Sequence, residues 1–148
     1  MKKLFTALTL AATLFVSSAF AGEIKANPEV LKSFEGAFGK QASEVSWSVS
    51  ENLYKAHFAL NGQYATAFYT PEGTLLAVSR NITSLQLPLP LQTTLKKDFS
   101  EYWISDLFEI SNDSGIEYYV TLENADARIV LKASGGLNWS TFQKARKS

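Results

Sequence analysis

His57 is the single histidine of the chain, and proton transfer near neutral pH runs through histidine more often than through any other side chain. A catalytic histidine needs a nucleophile within reach and an acid to orient it. The neighbours of His57 on its face of a predicted strand are Lys55 and Ala59, the chain has no cysteine, and no Gly-x-Ser-x-Gly occurs. Metal chemistry is no better served, because one histidine and scattered carboxylates give no zinc spacing. Asn112-Asp113-Ser114-Gly115 superficially suggests a calcium loop. It lacks the Asp-x-Asp-x-Asp-Gly core and a closing glutamate at the right distance, and reads as a hairpin turn. The pairs Glu29/Glu35 and Asp98/Glu101 fall on predicted helices. Glycosidase carboxylates instead face each other across a cleft, so these pairs read as solvated helix faces. The residues therefore predict no catalytic, cofactor-binding or metal site, and no enzyme.

Aromatic residues make up 13% of the chain, more than a small core needs. By period, Trp47, Tyr54, Phe58 and Phe68 fall on the core phase of their strands. Tyr69, Trp103 and Tyr119 fall on the opposite phase. Aromatics on an open sheet face, beside Lys55, His57, Thr121 and Arg128, suit a protein or peptide interface. The candidate binding set is thus Lys55, His57, Tyr69, Trp103, Tyr119, Thr121 and Arg128. A slip of one residue in register would invert the assignment.

The elements that position these residues form one unit written twice, at about 28–79 and 90–142. The first opens on a helix with Val30, Phe34 and Phe38 at i, i+4, i+8 and Leu31 beside them. Asn27 caps it, Pro28 occupies its first position and Gly39 stops it. Strands are expected around Val45, Trp47 and Val49, over Tyr54–Leu60, over Gln63–Thr70 after the Asn61-Gly62 hairpin, and over Thr74–Ser79 after the Pro71-Glu72-Gly73 turn. The second unit opens with Leu91, Leu95 and Phe99, with Pro90 starting the helix. Strands over Tyr102–Ile110, Glu117–Glu123 and Ala127–Ala133 follow, and a last one over Leu137–Phe142, leaving a frayed basic tail from Lys144. The helices are 61 residues apart (Val30 to Leu91) and the closing glycines 63 (Gly73 to Gly136). That constancy predicts a duplicated helix-plus-sheet unit. Neither half buries its apolar face well alone, so the expectation is a two-layer α+β domain, a tandem repeat of a helix plus a four-stranded antiparallel sheet, with one sheet face open.

Residues 1–21 read as a signal peptide: Lys2 and Lys3, an apolar run over Leu4–Val16, and Ala19-Phe20-Ala21 before the expected cleavage. Removing these 21 of 148 residues leaves 127, enough for one domain, with 12 basic side chains against 14 acidic ones. That balance points to neither nucleic acid nor an anionic membrane. With no cysteine there is no lipid anchor, and no second apolar run is long enough to span a bilayer. The expected location is periplasmic or secreted.

The succession Val30…Phe34…Phe38, Val45-x-Trp47, Tyr54-x-Ala56-x-Phe58, Ala67-x-Tyr69, Gly73-Thr74-Leu75, Ile82 and Leu87-Pro88 is followed by Ile104 and Tyr118-Tyr119-Val120-x-Leu122. This pattern, over about residues 28–137, resembles the β-lactamase-inhibitor-like, PepSY-like exported proteins of Bacteroidetes-type bacteria. The resemblance implies the fold of β-lactamase inhibitor protein, with no enzyme activity, no cofactor and no catalytic residues. The expected function is a non-catalytic exported protein that binds an envelope or extracellular protein or peptide through its open sheet face. The alternative is a carrier holding a small apolar ligand between helices and sheet.

Overall fold

The computed structural model describes residues 24–148; the expected signal peptide and its cleavage site lie outside them. The elements run α1 (Pro28–Phe38), β1 (Ala42–Ser50), β2 (Leu53–Leu60), β3 (Gln63–Tyr69), β4 (Leu75–Asn81), a 3-10 turn (Ser84–Gln86), α2 (Leu89–Asp98), β5 (Trp103–Asn112), β6 (Gly115–Glu123), β7 (Ala127–Ser134) and β8 (Ser140–Arg146). The class is α+β, as expected. The eight strands form one antiparallel sheet in chain order, β1 to β8, and not two sheets of four. The merging point is a ladder in which Ala77–Asn81 of β4 pairs with Asn112–Phe108 of β5.

Local chemistry sets these elements. Asn27 Oδ1 accepts the Val30 amide at 2.9 Å, satisfying one of the unpaired donors at the start of α1. Pro28 sits where its missing N–H costs nothing. In α2 the hydroxyls of Thr93 and Thr94 bond back to the Leu89 and Pro90 carbonyls, and Lys96 and Lys97 occupy the last turn, where the helix dipole favours cations. Asn61 and Gly62 take φ of 51° and 79°, the turn geometry that matches strand twist. Glu51 and Asn52, with φ of 50° and 64°, do the same between β1 and β2 without glycine.

Ala65, Arg80, Glu109, Tyr118 and Ala133 stand directly opposite one another across β3 to β7, so they share a face. Both helices pack on that face. Val30 and Phe34 of α1 close a cluster with Ala56, Phe58, Ala65, Ala67 and Tyr69. The Phe34 ring lies 5.3 Å from Trp47 and 5.2 Å from Phe58, both edge-on. Leu91 and Leu95 of α2 close a second cluster over Leu107, Val120, Leu122, Ile129 and Leu131. Between the clusters Arg80 donates to Glu109 and, at 3.1 Å, to Gln63, whose amide donates to Gln86 in the 3-10 turn. This polar row ties the connection between the halves to the sheet.

Four expectations change. Leu31 is exposed rather than buried, because the stripe of α1 that faces the sheet runs through Val30 and Phe34. Val45 and Val49 are also exposed: Val45 lies in a bulge between Ser43 and Ser46, with Glu44 at φ 54°, and Val49 lies near the end of β1, the edge strand. The last strand is Ser140–Arg146 and not Leu137–Phe142. Trp139 stays in the preceding loop, where its indole N–H reaches the Leu91 carbonyl at 3.1 Å. Lys144, Ala145 and Arg146 are paired with Ile129, Arg128 and Ala127 instead of fraying.

The β3–β4 turn is bound to the start of α1. Asn27 Nδ2 donates to the Pro71 carbonyl at 2.7 Å, and Ser33 Oγ to the Gly73 carbonyl at 2.6 Å. Gly73 has φ +89°, and a β-carbon there would stand 2.7 Å from the Glu29 carbonyl oxygen. Gly136 lies correspondingly close to Pro88 at the start of α2. Gly73→Ala is expected to cost about 2 kcal/mol or more, from backbone strain and displacement of α1. Urea unfolding of the variant checks this, and an unchanged midpoint would contradict it.

Candidate functional site

The other sheet face carries polar and aromatic residues over which no helix among the described residues packs. One row runs Ser46, His57, Thr66, Ser79, Ile110, Glu117 across β1 to β6. Next to it runs Ser48, Lys55, Phe68, Ala77. A third holds Asn81, Phe108, Tyr119 and Lys132. Phe68, Phe108, Ile110 and Tyr119 form a third buried cluster, with Leu76, Ala77, Val130 and Phe142 packed against it. Phe108 stacks on Tyr119 at 5.2 Å, and Phe142 meets Tyr119 edge-on at 5.5 Å. No helix among the described residues contributes to this cluster.

Six of the seven expected binding residues lie on this face. Lys55 is fully buried, and its Nζ has no hydrogen-bond partner. Burial lowers its pKa, opposed in part by the field of Glu51. His57 sits between two hydroxyls, with Nε2 3.0 Å from Ser48 Oγ and Nδ1 3.1 Å from Thr66 Oγ1. Its pKa is lowered by burial first and by Lys55 second. Tyr119 donates to Glu117 at 3.3 Å, and Lys132 pairs with the same carboxylate at 3.4 Å while lying 5.7 Å from the Tyr119 ring centre. Burial, then Glu117, raises the Tyr119 phenol well above its ordinary range. Thr121 is buried opposite Asp106, and Arg128 is exposed opposite Glu123. Trp103 is 54% exposed at the sheet corner, with Lys147 Nζ 4.8 Å over its ring.

Tyr69 is the correction. It lies on the helix face with no exposed surface, opposite Tyr54 and 6.3 Å from Trp47. Its hydroxyl has no partner, and burial pushes its pKa up to about 12. Its neighbour Phe68, expected in the core, takes the uncovered face. Two adjacent large aromatics leave the phase of β3 undecided by size, and Ala65 and Ala67, which must pass under α1, decide it.

Sequence reasoning found the polar face of β1 but not the contacts it makes. Ser48, His57 and Thr66 form a hydroxyl–imidazole–hydroxyl chain. A nucleophilic serine requires an imidazole that can carry the proton, which a carboxylate on its far nitrogen stabilises. Here that third group is a neutral threonine, and the imidazole resists protonation. The arrangement orients His57 as a neutral hydrogen-bonding group. Among the described residues no group of three or more His, Asp or Glu is gathered as a metal would need, and no helix is long and apolar enough to cross a membrane.

Several solved structures share this architecture. A BLIP-like protein from Bacteroides fragilis superposes with a TM-score of 0.69 at 15% identity, covering 84% of this chain and 89% of that one. A DUF2874 family protein from Bacteroides ovatus gives 0.72 at 14% identity over 83% and 89%. The fold is the BLIP-like one. A protein from Bacteroides eggerthii whose name proposes a periplasmic location gives 0.71 at 13% identity over 83% and 90%. The BLIP-like resemblance read from the sequence thus holds at the level of fold, while the PepSY-like part has no counterpart in these names. No family model and no curated protein matches the chain.

His57 predicts a pH dependence. Its pKa in the folded protein lies below the ordinary 6.5, so the unfolded chain binds the proton more readily. Stability is intact above pH 6.5 and falls as the pH drops through that value, levelling off below the folded pKa. His57→Gln should reduce the drop in thermal midpoint between pH 7.5 and 5. An equal drop in the variant would contradict a lowered His57 pKa in the folded protein.

Proposed function

We propose that the chain is an exported, non-catalytic binding protein that engages another protein or peptide through the sheet face opposite α1 and α2. One observation carries this reading: Phe68, Phe108, Ile110 and Tyr119 gather on that face, and no helix among the described residues packs over them. A fold with two well-filled clusters under its helices does not need a third apolar group on its far side for a core. The half-buried Leu76, Val130 and Phe142 beside it leave apolar surface on that side, as contact surfaces do. The polar rim of His57, Lys132, Trp103 and Arg128 fits the anatomy of such an interface.

Export follows from the leader, with cleavage after Ala21 and a periplasmic or secreted product. The name of one fold neighbour supports that location. A second neighbour is named BLIP-like, which supports protein binding as the work of this face, although fold by itself does not name a partner. The reading also takes the two halves, about 28–79 and 90–142, as copies of one PepSY-like unit. Gly73 and Gly136, each against the start of its own half's helix, support that. It calls for no cofactor and no nucleic acid.

The test is capture from envelope extract of the producing cells by the tagged protein recovered after export. A Phe68→Ala/Phe142→Ala variant with unchanged circular dichroism runs beside it. The expected result is a partner retained by the wild type and weakened at least tenfold by the variant. A partner retained equally by both would overturn the face assignment.

A further inference from the structure

An open sheet ends in two strands with one neighbour each, and among the described residues those are β1 and β8. The two edges are finished differently. β8 carries features that keep an edge from pairing: its ladder with β7 breaks between Val130 and Leu131, and Lys144 and Arg146 stand exposed along it. β1 has its bulge only near its start, between Ser43 and Ser46. From Ser46 to Ser50 it holds unbroken register with His57–Leu53 of β2, and this stretch, Ser-Trp-Ser-Val-Ser, contains no charge, proline or glycine. The backbone N–H and C=O groups that point away from β2 there have no strand to pair with among the described residues. Trp47 is half-buried and Val49 is 40% exposed, both on the α1 side, opposite Ala56 and Tyr54.

We propose that β1 is a dimerisation edge, pairing antiparallel with β1 of a second copy of this chain about a two-fold axis at Ser48. The proposal is independent of the binding role assigned above. Residues directly opposite each other in an antiparallel ladder lie on the same face, so a two-fold axis normal to the sheet sets one residue against its own copy. The regular stretch Ser46–Ser50 is centred on Ser48. Pairing there sets Trp47 against the second copy's Val49, and Ser46 against the second copy's Ser50, each twice. Aromatic against β-branched is a favourable cross-strand pair, and hydroxyls opposite one another hydrogen-bond. The strand read backwards supplies what each of its side chains needs, which selects a second copy over an unrelated extended segment. Glu44 and Glu51 fall outside the paired stretch. The ladder has five residues per strand, the same length as the one that joins β4 to β5. The helices leave room for it. α1 packs over Ala56 and Phe58 of β2 and Ala65 and Ala67 of β3, so the two α1 helices stand about four strand spacings apart, about 19 Å, against about 10 Å for helices in contact. Pairing β1 with β8 of another copy would be heterologous and would not close.

The chain has no cysteine, so a single introduced cysteine reports only its own position. In the protein purified as the cell exports and processes it, Ser48→Cys should cross-link to its own copy under copper–phenanthroline oxidation, because opposite Cα atoms stand about 5 Å apart, within disulfide range. Ser46→Cys is more exposed, yet it lies about 14 Å along the ladder from its own copy and should cross-link at least tenfold more slowly. Mixing Ser46→Cys with Ser50→Cys should restore the fast rate. Sedimentation equilibrium of the cysteine-free protein should show a reversible dimer. Val49→Asp, which makes two carboxylates diagonal neighbours across the axis, should weaken it at least tenfold. Equal cross-linking of Ser46→Cys and Ser48→Cys, a monomer at every concentration up to about 1 mM, a dimer indifferent to Val49→Asp, or open-ended polymers would each overturn the proposal. If Val49→Asp loses its fold by circular dichroism, the cysteine comparison decides alone.

Discussion

The five-residue ladder between β4 and β5 is the constraint on which the rest of the structure depends. Each half has a helix and four strands, and each half's sheet would otherwise end in an unpaired edge. Unpaired edges are liabilities, and a sixty-residue unit buries too little surface to be stable alone. Pairing Ala77–Asn81 with Asn112–Phe108 removes two edges at once. It also fixes which residues share a side. Because Arg80 stands opposite Glu109, the core phases of the two halves coincide, and α1 and α2 are held to one face. A slip of one residue at this ladder would put the helices on opposite faces.

The two faces of the sheet are packed differently. Under the helices the packing is that of an ordinary core, with aliphatic residues beneath α2 and aromatic edges around Phe34 beneath α1. Its polar row, Arg80 with Glu109 and Gln63, is paired, while the Tyr69 hydroxyl is left without a partner. The other face follows different rules. It keeps a lysine without a partner, a histidine between two hydroxyls, and stacked rings away from any helix among the described residues. Each of these costs a fold something.

Much of this arrangement was legible in the sequence wherever the signal was local. The Asn27 cap, the Asn61-Gly62 hairpin, the Pro71–Gly73 turn and the Val30/Phe34 and Leu91/Leu95 stripes depend on neighbours a few residues away. The structure agrees with all of them. Long-range choices were harder to read. Phe68 and Tyr69 are adjacent and similar in size, so only the need of Ala65 and Ala67 to lie under α1 assigns their sides. The β1 bulge uses Glu44, a residue with no turn preference to announce it. Trp139 looked like part of a strand because its role is a hydrogen bond to a helix carbonyl 48 residues away. Lys55 and His57 were placed on the correct face by alternation, but the hydroxyl partners of His57 come from the strands on either side of it, β1 and β3.

The central claim is that the apolar surface available to a partner lies on the sheet face away from the helices. Photolabelling of the native protein with bis-ANS, a dye that attaches where apolar surface is accessible, followed by peptide mapping, tests it without knowledge of the partner. The account predicts labelling within β4, β7 and β8, at peptides carrying Leu76, Val130 and Phe142, the half-buried residues that border the cluster. Labelling concentrated on α1 and α2, with those strands unmarked, would contradict it.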